Sequence, residues 1–225
     1  MGRMKLVERW HELAKELAPS LPGRWSLRGR GELTALVQEP WDWAVRWIGF
    51  DRSSYSEEGW FMAAVEPLVL DRFRWALSYG MRMDEVRGGP LSVDLRSDDA
   101  GQVLHDFAHN AALPVFDKWT IEKFADAADR SMQRPVEQRR QPYYWLMAPG
   151  YRVVLDTGSP EEPLRQIIDY INEGGKFAKA LPFYEELLKR WQSGGRDEAL
   201  KFLEFDRDRK IEEAGLTHLI DGGTA

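Results

Sequence analysis

Two histidines stand four positions apart in His105-Asp106-Phe107-Ala108-His109. On a helix this spacing sets both imidazoles on one face, one turn apart, the way zinc peptidases offer two ligands to their metal. Asp106 then stands where those enzymes carry a glutamate base, but its shorter arm lacks the reach to a metal-bound water. At about 100° per residue, Val103, Leu104, Phe107, Ala108 and Ala111 define the apolar face of such a helix. His105 and His109 therefore fall on its rim or toward solvent. The only other histidines are His11 and His218, and no pattern brings either to the pair. Two readings follow: a metal-dependent hydrolase using His105 and His109, or two histidines on a helix surface. No cofactor is expected.

A second set of chemically able residues is cationic. Phe73, Trp75, Leu77, Tyr79, Met81 and Met83 alternate with Arg72, Arg74, Ala76, Ser78, Gly80 and Arg82, which predicts a strand with one buried face. Its other face would carry Arg72, Arg74, Ser78 and Arg82 beside the small Ala76 and Gly80. That surface suits a closely packed helix, a protein partner, or a carboxylate or phosphate gripped by forked guanidinium donors. A further charged pair is expected on the neighbouring strands. If Trp43–Asp51 and Gly59–Glu66 pair about the Ser53–Glu58 turn, Arg46 falls opposite or diagonal to Glu66, on the face of Ala44, Ile48, Met62 and Ala64. The pair would be a structural ion pair or the polar base of a pocket, and removing one partner would cost about 3–5 kcal/mol.

Other motifs are absent. Gly29-Arg30-Gly31 is too short for a dinucleotide loop and leads into a strand, and there is neither a P-loop nor a nucleophile elbow. Ser159 precedes Pro160-Glu161-Glu162 and reads as a helix cap. Glu204, Asp206 and Asp208 sit in charged helical stretches, as a solvated face does. Trp41, Trp43 and Trp47 could stack a sugar or base, but strand alternation assigns them to the core.

The elements that must position these residues follow from periodicity. Leu6, Trp10, Leu13 and Leu17 predict an amphipathic helix stopped by Pro19 and Pro22. From Arg24 to Met83 the period is two, with short polar connections, which predicts an antiparallel meander of about four or five strands. Pro67 should end its strand. Helices are expected from Ser97, whose hydroxyl would cap with Asp98 and Asp99 following, and from Thr120. Gln133–Gln141 is the best linker candidate. Tyr143–Met147 and Tyr151–Asp156 flank Ala148-Pro149-Gly150 as a hairpin would. Later helices should end at Gly174-Gly175, at Gly194-Gly195 and near Gly215. The whole reads as a single α+β domain over 1–225, with helix, sheet and hairpin in 1–157 and a helical part in 158–225.

Composition bounds the function. The 225 residues include no cysteine, which excludes disulfides, a thiolate nucleophile and cysteine-ligated metal. A net charge of −6 argues against nucleic acid as a partner. Met1 to Leu6 lack the apolar stretch of a signal peptide and no run approaches a membrane span, so a soluble cytoplasmic chain is expected. Ten tryptophans make the chain Trp-rich.

Mainly over residues 47–83, the chain resembles a bacterial family known as a domain of unknown function. The resemblance rests on Trp47-Ile48-Gly49-Phe50-Asp51-Arg52-Ser53-Ser54, on Glu66-Pro67-Leu68 and on Trp75-Ala76-Leu77-Ser78-Tyr79-Gly80-Met81-Arg82-Met83, with echoes at Leu113-Pro114 and Leu181-Pro182. It supplies no catalytic residue. Some relatives look like small α+β proteins found beside bacterial toxin genes, which implies an antidote- or adaptor-like role. Residues and resemblance together favour a non-enzymatic protein-binding protein, with the hydrolase and a small-anion sensor as alternatives.

Overall fold

The structure is a computed structural model that describes residues 3–30, 33–56, 58–73, 75–139 and 144–220. The chain divides into two compact units. One comprises Met1–Glu66, Arg74–Trp119 and Ile211–Ala225; the other comprises Pro67–Phe73 and Thr120–Lys210.

The first unit is built on the expected antiparallel sheet, in the order β1 (Arg24–Arg30), β2 (Leu33–Glu39), β3 (Ala44–Arg52), β4 (Gly59–Pro67) and β5 (Gly80–Arg82). β1 and β2 pair along their full length, from Arg24↔Glu39 to Arg30↔Leu33. β2 and β3 pair through Ala35↔Gly49, Leu36↔Ile48 and Val37↔Trp47. The amino-terminal helix α1 (Arg3–Leu17) packs Trp10 on Phe50 and Phe61, with ring centroids 6.5 and 6.2 Å away. Phe61 in turn meets Phe107 of α2 (Ala100–Phe107) at 6.3 Å. The helix then continues through a π-helical stretch, Ala108–Ala112, into α3 (Leu113–Lys118). Residues 216–220 return along β1. Gly29 N–H donates to His218 O at 3.3 Å, Ile220 N–H donates to Leu27 O at 3.0 Å, and Arg28 bridges Leu219.

The second unit is helical: α4 (Ile121–Met132), α5 (Ala148–Leu155), α6 (Glu161–Asn172) and α7 (Leu181–Glu213), which breaks at Gly194 and at Gly195 with φ 65°. Its core includes Phe124 stacked on Tyr151 at 6.1 Å and Trp145 edge-on to Tyr170 at 5.3 Å. Tyr184 Oη donates to Leu146 O at 3.2 Å. The ammonium of Lys210, 1 % exposed, donates to the carbonyls of Leu68 and Leu70 and pairs with Asp206 at 2.7 Å.

Three expectations are corrected. The strand over Phe73–Met83 shrinks to Gly80–Arg82; the residues before it are irregular and a turn closes with Gly80 N–H donating to Leu77 O. Alternation records which side chains are covered, and an irregular segment lying on a core alternates as well as a paired strand does. The hairpin about Ala148-Pro149-Gly150 is instead a 3-10 turn, Tyr144–Met147, running into α5 with proline in its first turn. Pro149 there needs no N–H partner, and Gly150 lies so close to Val69 that a Cβ would come within 2.7 Å of it. Ser97 does not cap α2, which begins three residues later; its hydroxyl donates to Asp94 O. In the linker candidate, Val136–Gln138 form a 3-10 turn and Arg139 is buried, while 140–141 lie outside the described residues.

Candidate functional site

Residues of β2 and β3, with α1 and the segment before β5, line a cleft of about 540 Å³ in the first unit. Beyond the last paired residue of β2, Thr34 turns its carbonyl to the indole of Trp10, which donates to it at 3.2 Å. Leu6 and Trp10 of α1 thereby line one part of the cleft, with Thr34 and Phe50 between the strands. Trp47 of β3 lines another part, together with Trp75 and Leu77 of the irregular segment. Trp75 packs edge-on to Trp47 at 5.3 Å. Gly49 leaves room in this geometry. A Cβ there would stand 3.1 Å from the Trp47 ring, so the missing side chain lets the indole lie along the strand.

The lining is mainly apolar, with Thr34, Asp51 and Arg52 as its polar members. At Thr34, the hydroxyl lies 3.2 Å from His11 Nε2. Burial holds the His11 imidazole below its ordinary pKa, helped by the nearby charge of Lys15, so His11 is neutral at neutral pH. Leu33 leaves 65 % of its surface exposed, an apolar side chain presented to solvent beside the opening. Trp47 Nε1 is buried without a hydrogen-bond partner, a desolvation cost of about 1–3 kcal/mol. The cleft can therefore hold an apolar body against rings, and its polar groups can orient one end.

The described residues singled out in the sequence make contacts of their own. Arg82 donates through Nε and Nη2 to Asp84, each at 2.6 Å, and lies over the Trp60 ring at 4.7 Å. The Asp84 hydrogen bond raises Arg82 above its ordinary pKa. Arg72 belongs to the second unit, 3.7 Å from Asp71, whereas Ser78 is exposed in a turn of the first. Arg74 lies outside the described residues. Of the stretch expected to carry the anion groove, Gly80–Arg82 is strand among the described residues. Arg46 and Glu66 do not pair either. Arg46 Nη1 donates to Gln38 Oε1 at 3.1 Å. Phe50 meets Phe61 across β3 and β4 at 5.8 Å, so by alternation Arg46 shares their face while Glu66 points to the other.

His105 and His109 do come together, with ring centroids 4.3 Å apart. His109 Nε2 lies 3.2 Å from Ser20 Oγ, and His105 Nδ1 lies 3.8 Å from Asp106. His11 is at Thr34 and His218 is at Arg30. Among the described residues no group of three or more His, Cys, Asp or Glu side chains could hold a metal ion. A hydrolytic zinc site needs a third protein ligand.

Sequence reasoning missed Leu33, Phe50, Trp75 and Leu77 as site residues and placed Trp47 in the core alone. Trp47 is buried, at 2 % exposure, and also walls the cleft. The available signal was Trp75 and Leu77, two large apolar residues in a segment otherwise rich in arginine.

The chain matches no protein-family model, no curated protein and no solved structure with which it was compared.

Proposed function

We propose that the chain is a binding protein whose ligand is a flat, largely apolar small molecule held in the cleft between β2 and β3. The observation that carries this reading is the convergence of Trp10, Phe50, Trp47 and Trp75 on one open space of about 540 Å³. Small-molecule sites are concave and mainly apolar, with few polar groups to set orientation, and they fall in this range of volumes. Indole walls favour a ring, because stacked and edge-on contacts add to the gain from burial alone. The binding role expected from the sequence is kept, but its surface moves. A salt-sensitive protein complex rested on a strand over Phe73–Met83, of which Gly80–Arg82 is strand among the described residues.

The test is a fluorescence titration of the full chain with anilinonaphthalene sulfonate as the ring probe. Saturable binding with quenching of tryptophan emission is expected. Leu77→Asp, which sets a charge in the apolar lining, should weaken it tenfold or more with melting unchanged. Absence of saturable binding to the folded protein, or equal affinity in the variant, overturns the reading.

A further inference from the structure

His105 lies in the last turn of α2 and His109 in the π-helical stretch that follows, with their ring centroids 4.3 Å apart. With metal–nitrogen bonds of about 2.0–2.1 Å, two imidazoles at right angles on one ion have centroids about 4.5 Å apart. The backbone therefore already holds the rings at the separation that a shared ion would set. Both can be reached from solvent: the His105 side chain is 48 % exposed and His109 is half-buried.

Each ring has one nitrogen engaged by a neighbour and the other left open. The Ser20 hydroxyl donates its one proton to Leu17 O at 2.9 Å, so toward His109 Nε2, 3.2 Å away, it can only accept. A neutral His109 thus carries its proton on Nε2 and a lone pair on Nδ1. His105 Nδ1 faces the Asp106 carboxylate at 3.8 Å, which favours the proton on that nitrogen and the lone pair on Nε2. Asp106 is itself held by Gln102 Nε2, which donates to its Oδ1 at 2.8 Å. Among the described residues no hydrogen bond occupies His105 Nε2 or His109 Nδ1. Ligating histidines ordinarily have their other ring nitrogen held in this manner, which fixes the tautomer and the ring orientation.

The donor set also selects the ion. Magnesium and calcium take oxygen ligands and gain little from imidazole. Imidazole suits zinc, nickel and copper, and the affinity of such sites peaks at copper(II). No third protein donor joins the pair among the described residues, so water would fill the remaining positions and the ion would be held reversibly. We propose that His105 Nε2 and His109 Nδ1 together bind one late first-row divalent cation, copper(II) in preference to nickel(II) or zinc(II). The site uses none of the cleft lining and is tested apart from it.

The test is calorimetric titration of the full, untagged chain with copper(II), nickel(II), zinc(II) and magnesium chlorides. One equivalent of copper should bind saturably, nickel and zinc tenfold or more weakly, and magnesium not at all. His109→Ala should weaken copper binding tenfold or more. Because His109 also meets Ser20, His105→Ala is measured beside it, with the same loss expected and the melting temperature of the metal-free protein unchanged. Electron paramagnetic resonance of the copper-loaded parent should show two imidazole nitrogens, and each variant at most one. The proposal is overturned if copper does not bind, if magnesium binds as tightly, if the parent spectrum shows fewer than two imidazole nitrogens, or if both variants keep full affinity.

Discussion

At the scale of single residues, the chemistry that matters is set by what each charge meets after folding. Asp206 reads in the sequence as part of a charged, solvated face, yet it is buried and paired with the equally buried Lys210. Burial lowers the Lys210 pKa, against the opposing pull of Asp206. Asp206→Ala would leave a buried ammonium held by carbonyls alone, and should destabilise the protein by about 3–5 kcal/mol in urea unfolding. Lys210→Met combined with Asp206→Leu should lose less than the two single changes summed, because both act on one interaction. A loss below about 1 kcal/mol for Asp206→Ala would show that the pair is solvated. The i, i+4 histidine pair was legible because its spacing is local. The fate of the arginines was not, since their partners Asp84 and Trp60 are decided by a turn and by a neighbouring strand.

At the scale of elements, some signals confined to a few consecutive residues held, although the Ser97 cap and the hairpin about Ala148-Pro149-Gly150 did not. Ser159 Oγ accepts from Glu161 N–H as α6 begins, and Gly174 and Gly215 follow helix ends with φ of 90° and 74°. Such ends favour glycine because other residues are strained there. The α+β class and the five-stranded meander followed from the change of period near Arg24. The failures lie where one period fits two structures. Tyr151 and Val153 are buried on a short helix, and alternate burial over so few residues also suits a strand. Glycines separate these cases more sharply. A Cβ on Gly80 would meet Ala63 O at 2.3 Å and Ala64 Cβ at 2.5 Å, so β5 can approach β4 only with glycine there. Gly80→Ala should cost about 1–3 kcal/mol. Gly101 in α2 meets only Leu13 Cδ2 at 3.5 Å, and Gly101→Ala should be neutral or stabilise by up to about 1 kcal/mol. Equal melting temperatures for the two variants would refute the contrast.

For the molecule as a whole, both units are assembled from distant stretches. Residues 67–73 belong with helices from Thr120 onward, and Lys210 reaches Leu70 across 140 positions. A division of this kind leaves no linker to read, which is why composition suggested a single domain. The cleft was hidden for a related reason. It is walled by residues from several separated stretches of chain, and a hydrophobic pattern records faces of strands without recording which stretches meet. No helix among the described residues is long and apolar enough to cross a membrane, and α7 owes its length to a kinked, charged sequence. The return of residues 216–220 along β1 carries a prediction at this scale. β1 is the outer strand of the sheet, and such strands recruit other chains when left unpaired. Deleting residues 216–220 should leave the helices formed while promoting concentration-dependent association in sedimentation velocity. A variant that stays monodisperse would show that the edge is protected by other means.

That same return has a consequence for biosynthesis. Thr217, whose carbonyl accepts from Arg28, is translated 189 residues after it. At about 5–20 residues per second on the ribosome, the rim of the nascent sheet would stay uncovered for about 10–40 s, the interval in which holdase chaperones would have most to do.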